Sequence, residues 1–139
     1  VDPRAGYCEP FHLGPLSLVP MSSFRDGFGS PRHAQIGACS ASELIEALRG
    51  AELLGWSQFV LLSHNFELMV PDKPDPDPVV VRRFDALCRF LRDNRDTLPT
   101  SGFHDLPPIP EPVGLELPRV SRIATIRRYM EQGFRRLTQ

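Results

Sequence analysis

The sequence predicts an α/β protein, and three observations carry that prediction. Phe59-Val-Leu-Leu62 is a continuous apolar run of the kind a strand shows when both of its faces are covered. An amphipathic helical pattern precedes the run, which stops abruptly on Ser63-His64-Asn65, so the order is helix, strand, polar loop. A second helical pattern then follows from Asp77-Pro78.

Taken in order, Asp2 to His12 is a turn-rich lead-in broken by Pro and Gly. Leu16 to Met21 reads as a short strand, with Pro20 placing it at an edge or an end. Ser23 to Pro31 is rich in Gly and polar groups directly after that strand, where pocket loops occur in α/β proteins, and Asp26 is its best chemical candidate. The competing reading of Asp26 is a solvated turn residue.

Ser40-Ala-Ser-Glu43 is a capping box: the Ser40 hydroxyl accepts from the third helical N–H while Glu43 reaches back. Leu44, Ile45, Leu48, Ala51 and Leu54 form one stripe, and Gly55 supplies the left-handed conformation that ends the helix. Trp56 and Phe59 are expected to pack beneath it. Pro71 to Pro78 is too rich in proline for a helix or a central strand, and it lacks the glycine turn and distal carboxylate of a calcium loop. Asp77 and Pro78 instead open a helix as N-cap and first residue, and that helix runs to about Asp93. Its expected buried stripe is Val80, Phe84, Leu87, Cys88 and Leu91, with Arg82, Arg83, Arg89 and Arg92 solvated.

Thr100 to Leu106 reads as a last short strand, on which His104 and Asp105 would point to opposite faces and not pair. Five prolines between Pro107 and Pro118 make that stretch an extended linker. From Ser121, Ile123, Ile126, Met130, Phe134 and Leu137 recur at helical spacing beside Arg122, Arg127, Arg128, Arg135 and Arg136. This basic amphipathic helix has two fates: packing back onto the domain, or docking on an anionic membrane surface or another protein. The expected strands therefore lie near 16–21, 57–63 and 101–105, and the helices near 42–54, 78–93 and 121–137. The organisation is a domain over 1–106, a linker over 107–120 and a helix over 121–139.

A chain of 139 residues with 41% hydrophobic and 24% charged residues fits one compact unit and not a disordered segment. The net charge of −1 gives no reason to invoke nucleic acid. Lys73 is the one lysine among 16 basic residues, a skew that fits genome coding bias better than an arginine-built phosphate site. Cys8, Cys39 and Cys88 are odd in number and widely spaced, which fits neither a disulfide framework nor a zinc ribbon. Reduced thiols, a cytoplasmic setting and the absence of any apolar run of about 18 residues go together here.

In parallel α/β proteins, ligand sites lie beyond the carboxyl ends of the strands, and His64 stands at such an end. The bland reading is a histidine that caps the strand. The triplet Leu62-Ser63-His64 resembles the Leu-x-His that ends a late barrel strand in the NodB-homology polysaccharide deacetylases. The likeness extends through Leu18-Val-Pro-Met21, Ser22-Ser-Phe24-Arg-Asp26, Ser42-Glu43-Leu44 and Val81-Arg-Arg-Phe84 to Leu87-Cys-Arg-Phe-Leu91, covering roughly residues 13 to 106.

That resemblance implies the C-terminal part of a deformed (β/α) barrel. It also implies hydrolysis of an N-acetyl amide on a polysaccharide or glycan precursor by water activated at a divalent metal. His64 would protonate the departing amine, which is a very poor leaving group as its anion, and an imidazole with an ordinary pKa of about 6.5 suits the task. Asp26 and Asn65 would contact sugar hydroxyls or, for Asp26, orient His64. Members bind their metal through an aspartate and a His-x-x-x-His pair in the N-terminal half. Here His12, His33, His64 and His104 are too far apart for such a pair, so no metal ligand is assigned. The expectation is a fragment that is inactive alone, with the divalent metal held elsewhere in the full-length enzyme. The competing expectation is a non-catalytic glycan-binding or interaction module that uses the basic C-terminal helix.

Overall fold

The computed structural model describes residues 10–105 and 116–138. Along them run β1 (Phe11–Leu13), β2 (Leu16–Leu18), β3 (Ser23–Arg25), β4 (Pro31–His33), α1 (Ala41–Leu53), α2 (Pro78–Asp93) and α3 (Arg122–Thr138). Two 3₁₀ turns, Asn65–Leu68 and Phe103–Asp105, complete the set. The protein is thus mixed α/β with small sheets and three helices; no closed barrel is formed among the described residues.

The helices begin where the side chains cap them. Ser40 accepts from the Glu43 N–H at 3.2 Å while Glu43 accepts from the Ser40 N–H at 3.1 Å, the reciprocal pair that starts α1. Asp77 accepts from the N–H groups of Val79 and Val80, and Pro78 occupies the first position of α2. Gly55 ends the turn after α1 at φ +74°, a conformation glycine adopts without strain.

β1 and β2 pair antiparallel, as do β3 and β4, the latter in the register Ser23 to His33 and Arg25 to Pro31. The expected loop over 23–31 is therefore a hairpin. Further segments flank it. Arg25 exchanges backbone hydrogen bonds with Pro118 and Val120, in parallel, so the last residues assigned to the linker lie against β3, and Val120 is buried. On the other side Leu62 donates to Ala34 and accepts from Ile36, again in parallel, and Ser22 donates to Val60. Phe24 is fully buried in the core together with Leu44, Ala47, Leu48, Val80 and Leu87.

Several expectations are corrected. Only the end of the 57–63 run pairs, and Phe59 and Leu61 are half-buried and not covered on both faces. Residues 103–105 form a 3₁₀ turn in place of a strand, and without strand alternation His104 Nε2 and Asp105 Oδ2 come within 2.9 Å. Both side chains are exposed, so the pair contributes little. On α2 the buried face is rotated: Arg83 is buried beside Val80 and Leu87, whereas Phe84 and Cys88 face out. The stretch from 106 to 115, which includes most of the expected linker, lies outside the described residues.

α3 is held by polar groups. Arg128 donates through Nε to Glu43 at 3.0 Å and through Nη2 to Asp26 at 3.2 Å, with all three residues buried. Thr125 donates to the same Glu43 and accepts from the Gly27 N–H at 2.9 Å. Burial works against the charge on Arg128, but the Glu43 carboxylate and Tyr129 together outweigh it and hold the guanidinium more firmly protonated than usual. Gly27 is required here, because a Cβ would stand 2.4 Å from the Arg122 Cα at the start of α3.

Candidate functional site

His64 stands directly after the paired part of the 57–63 segment and serves as the residue before the Asn65–Leu68 turn. Its carbonyl accepts from the Glu67 N–H at 3.1 Å, which closes the turn. The imidazole is half-buried and lies flat against the Phe66 ring, with centroids 4.9 Å apart and planes 10° from parallel. Asn65 is exposed next to it, its side-chain oxygen accepting from the Phe66 N–H at 2.9 Å. The Phe66 ring thus covers one face of the imidazole.

Glu67, which is not among the residues singled out from the sequence, fixes this turn to the rest of the chain. One carboxylate oxygen accepts from Gln35 Nε2, and the other accepts weakly from the His64 N–H at 3.5 Å. The carboxylate lies against Gly37, where a Cβ would come within 2.8 Å of its carbon, so a larger residue there would have to push the carboxylate aside. From the other side Arg83 Nη1 donates to the Gly37 carbonyl at 3.2 Å, while Arg83 Nε pairs with Glu131 at 2.8 Å. The Gln35–Gly37 loop is therefore clamped between Glu67 and Arg83. A sequence signal for Glu67 exists: it stands three residues after His64, the spacing at which an acidic side chain reaches back to an N-terminal N–H.

Asp26 occupies a different cluster. Its Oδ1 accepts from the N–H groups of Phe28 and Ser30, both at 3.0 Å, which shapes the β3–β4 turn, and its Oδ2 accepts from Arg128. The residue is buried, and a sugar contact or an orienting bond to His64 would need an oxygen that these partners already engage. The structure thus brings Asn65 to His64 and gives Asp26 a role in holding α3.

A cavity of about 650 Å³ runs alongside residues 56–61, lined among others by Trp56, Gln58, Phe59, Leu98, Ser101 and Phe103. Trp56 Nε1 donates to the Glu116 carbonyl at 3.2 Å, and its ring is tilted against Phe59 with centroids 5.9 Å apart. This places the tryptophan near the start of the segment, away from His64 along the chain.

Among the described residues, no three of His, Cys, Asp and Glu are grouped so as to hold a metal ion. Cys39 donates to the His33 carbonyl at 3.2 Å, and burial pushes its thiol above the usual range, so it remains protonated and unreactive. No helix among the described residues is long and apolar enough to cross a membrane. In comparison with known proteins, the chain matches no family model, no curated protein and no solved structure.

Proposed function

We propose that the chain is the acid-bearing C-terminal part of a metal-dependent carbohydrate N-deacetylase, built as the corresponding part of a deformed (β/α) barrel. The observation that carries this reading is the placement of His64 just beyond a paired segment, half-exposed and braced on Phe66. A general acid must hold its proton within reach of the leaving nitrogen and must not drift, and the Glu67 clamp on the same turn supplies that constraint. Asn65, exposed beside the imidazole, is the candidate contact to a substrate hydroxyl. On this reading the divalent metal and the base are supplied by a part of the enzyme outside this chain. The 139 residues alone are then inactive.

The test uses the intact parent enzyme. His64→Ala should lower turnover on an N-acetyl amide by about 10²–10⁴-fold, mainly in kcat, with folding and metal content retained. An activated acetyl ester, whose leaving group needs no proton, should be far less affected. Equal losses on both substrates would assign His64 to pocket structure, and unchanged amide turnover would remove it from the mechanism.

A further inference from the structure

An amphipathic helix ordinarily buries its apolar stripe, and α3 does the reverse. The face turned to the domain carries Ala124, Thr125 and Arg128, with Glu131 and Gln132 partly covered, and it is fastened to Glu43, Asp26, Arg83 and the Ala38 carbonyl. The opposite face presents Ile123 at 80%, Ile126 at 47%, Met130 at 70% and Leu137 at 87% exposure. These positions have a register. Ile123, Met130 and Leu137 are seven residues apart, and Ile126 and Gly133 fall at the alternating place between them. That is the seam on which a second helix packs knobs into holes. At Gly133 an added Cβ would meet nothing within 4 Å, so the seam contains a notch open to an incoming side chain.

The rim of the seam selects the occupant. Arg122, Arg127 and Arg136 are exposed along its two sides, while Glu131, the acidic residue of α3, is already paired with Arg83 and Arg127. A second copy of α3 would bring arginines opposite arginines: Arg122 faces Arg127 in a parallel pair, and Arg122 faces Arg136 in an antiparallel one. A bilayer would welcome the arginines but has no side chain to seat in the notch and requires no seven-residue register. We propose that the outward face of α3 is a docking surface for an acidic amphipathic helix of a partner protein, with apolar residues in the seam and Glu or Asp along its flanks. The 17-residue helix offers a track of about 25 Å for it.

The probe is a labelled synthetic helix about three heptads long, with Leu at the seam and Glu at the flanks, titrated with the full chain and followed by fluorescence anisotropy. A second peptide carries Lys in place of Glu. The acidic peptide should bind at least about tenfold more tightly than the basic one, and added salt should weaken it. Met130→Glu and Ile126→Glu should each lose about tenfold or more, with an unchanged helical circular dichroism signal. Leu53→Glu, which alters an 88% exposed leucine on α1, should bind as the original does. Absence of binding, equal binding of the two peptides, or an equal loss in Leu53→Glu would overturn the proposal. So would sedimentation with phosphatidylserine vesicles that Met130→Glu abolishes while the acidic peptide fails to bind, which assigns the face to a membrane. A concentration-dependent dimer abolished by Met130→Glu would assign it to a second copy.

Discussion

Helices α1 and α3 both carry apolar residues at helical spacing, yet they are packed in opposite senses. α1 turns Leu44, Ala47, Leu48 and Ala51 into the core and is stabilised by burial of apolar area. α3 turns Thr125 and Arg128 inward and leaves Ile123, Met130 and Leu137 outside. The two helices meet through Glu43, which caps the first turn of α1 and accepts from both Thr125 and Arg128. One buried carboxylate thus does two tasks: it starts one helix, and it overrides the hydrophobic preference of the other. An apolar stripe indicates which face of a helix is apolar, and a buried charge elsewhere in the fold decides whether that face is covered.

The largest effect should follow from breaking the network that inverts α3. Arg128→Met removes the cation facing both Glu43 and Asp26 and should cost about 3–5 kcal/mol, because two carboxylates are left without their buried partner. Urea denaturation should show a lower midpoint at an unchanged slope. Arg128→Lys sharpens the reading. It keeps the charge but cannot span two carboxylates with one planar fork, so its loss should fall between the original and Arg128→Met. Equal stability of all three proteins would mean that α3 is not held by these pairs. On the other helix Leu44→Ala should cost about 2–5 kcal/mol through lost burial and the cavity left behind, measured in the same denaturation series.

A third prediction concerns pH. Burial would raise the Asp77 carboxyl, but hydrogen bonds from Val80, Arg135 and Val79 prevail and hold it below the ordinary carboxylate range. A depressed carboxyl contributes stability above its unfolded pKa of about 3.9 and loses it as pH falls through the folded value. Asp77→Asn keeps a capping side chain and removes the charge paired with Arg135. It should therefore be less stable than the original by about 1–3 kcal/mol above pH 5, with the difference shrinking as acid is added below about pH 4. A difference that stays constant from pH 7 to pH 3 would show that the cap alone matters.

How much of this was legible in the sequence depends on how far apart the partners are. α1 and α2 begin where Ser40, Glu43 and Asp77-Pro78 place them, because a cap involves residues within one turn. The β3–β4 hairpin was hidden, since its strands are three residues each, polar in part, and joined by a Gly-rich turn that reads as a loop. The inversion of α3 could not be read at all, because Arg128 finds Glu43 from 85 positions away and Asp26 from 102. The same distance explains Asp26: its position after a strand resembles that of a pocket residue, and the partner that engages it belongs to the far end of the chain. The position of His64 after a paired segment was legible because its signal is local, a histidine ending an apolar run, and the reach of Glu67 back to it lies within one turn.

The smallest expected effect lies on the outward face of α3. Leu137→Gln and Ile123→Gln replace side chains that are 87% and 80% exposed, so each should change stability by no more than about 0.5 kcal/mol. The contrast with Leu44→Ala is the point of the experiment: similar aliphatic residues on two helices of one protein should differ severalfold in what their loss costs. The measurement is urea denaturation of both variants at two protein concentrations tenfold apart. A loss above about 1 kcal/mol that grows with concentration would mean that a second copy covers this face, since association stabilises the folded state by mass action. A loss of that size independent of concentration would mean that the stripe packs against the chain's own surface, and the inverted arrangement of α3 would then have to be abandoned.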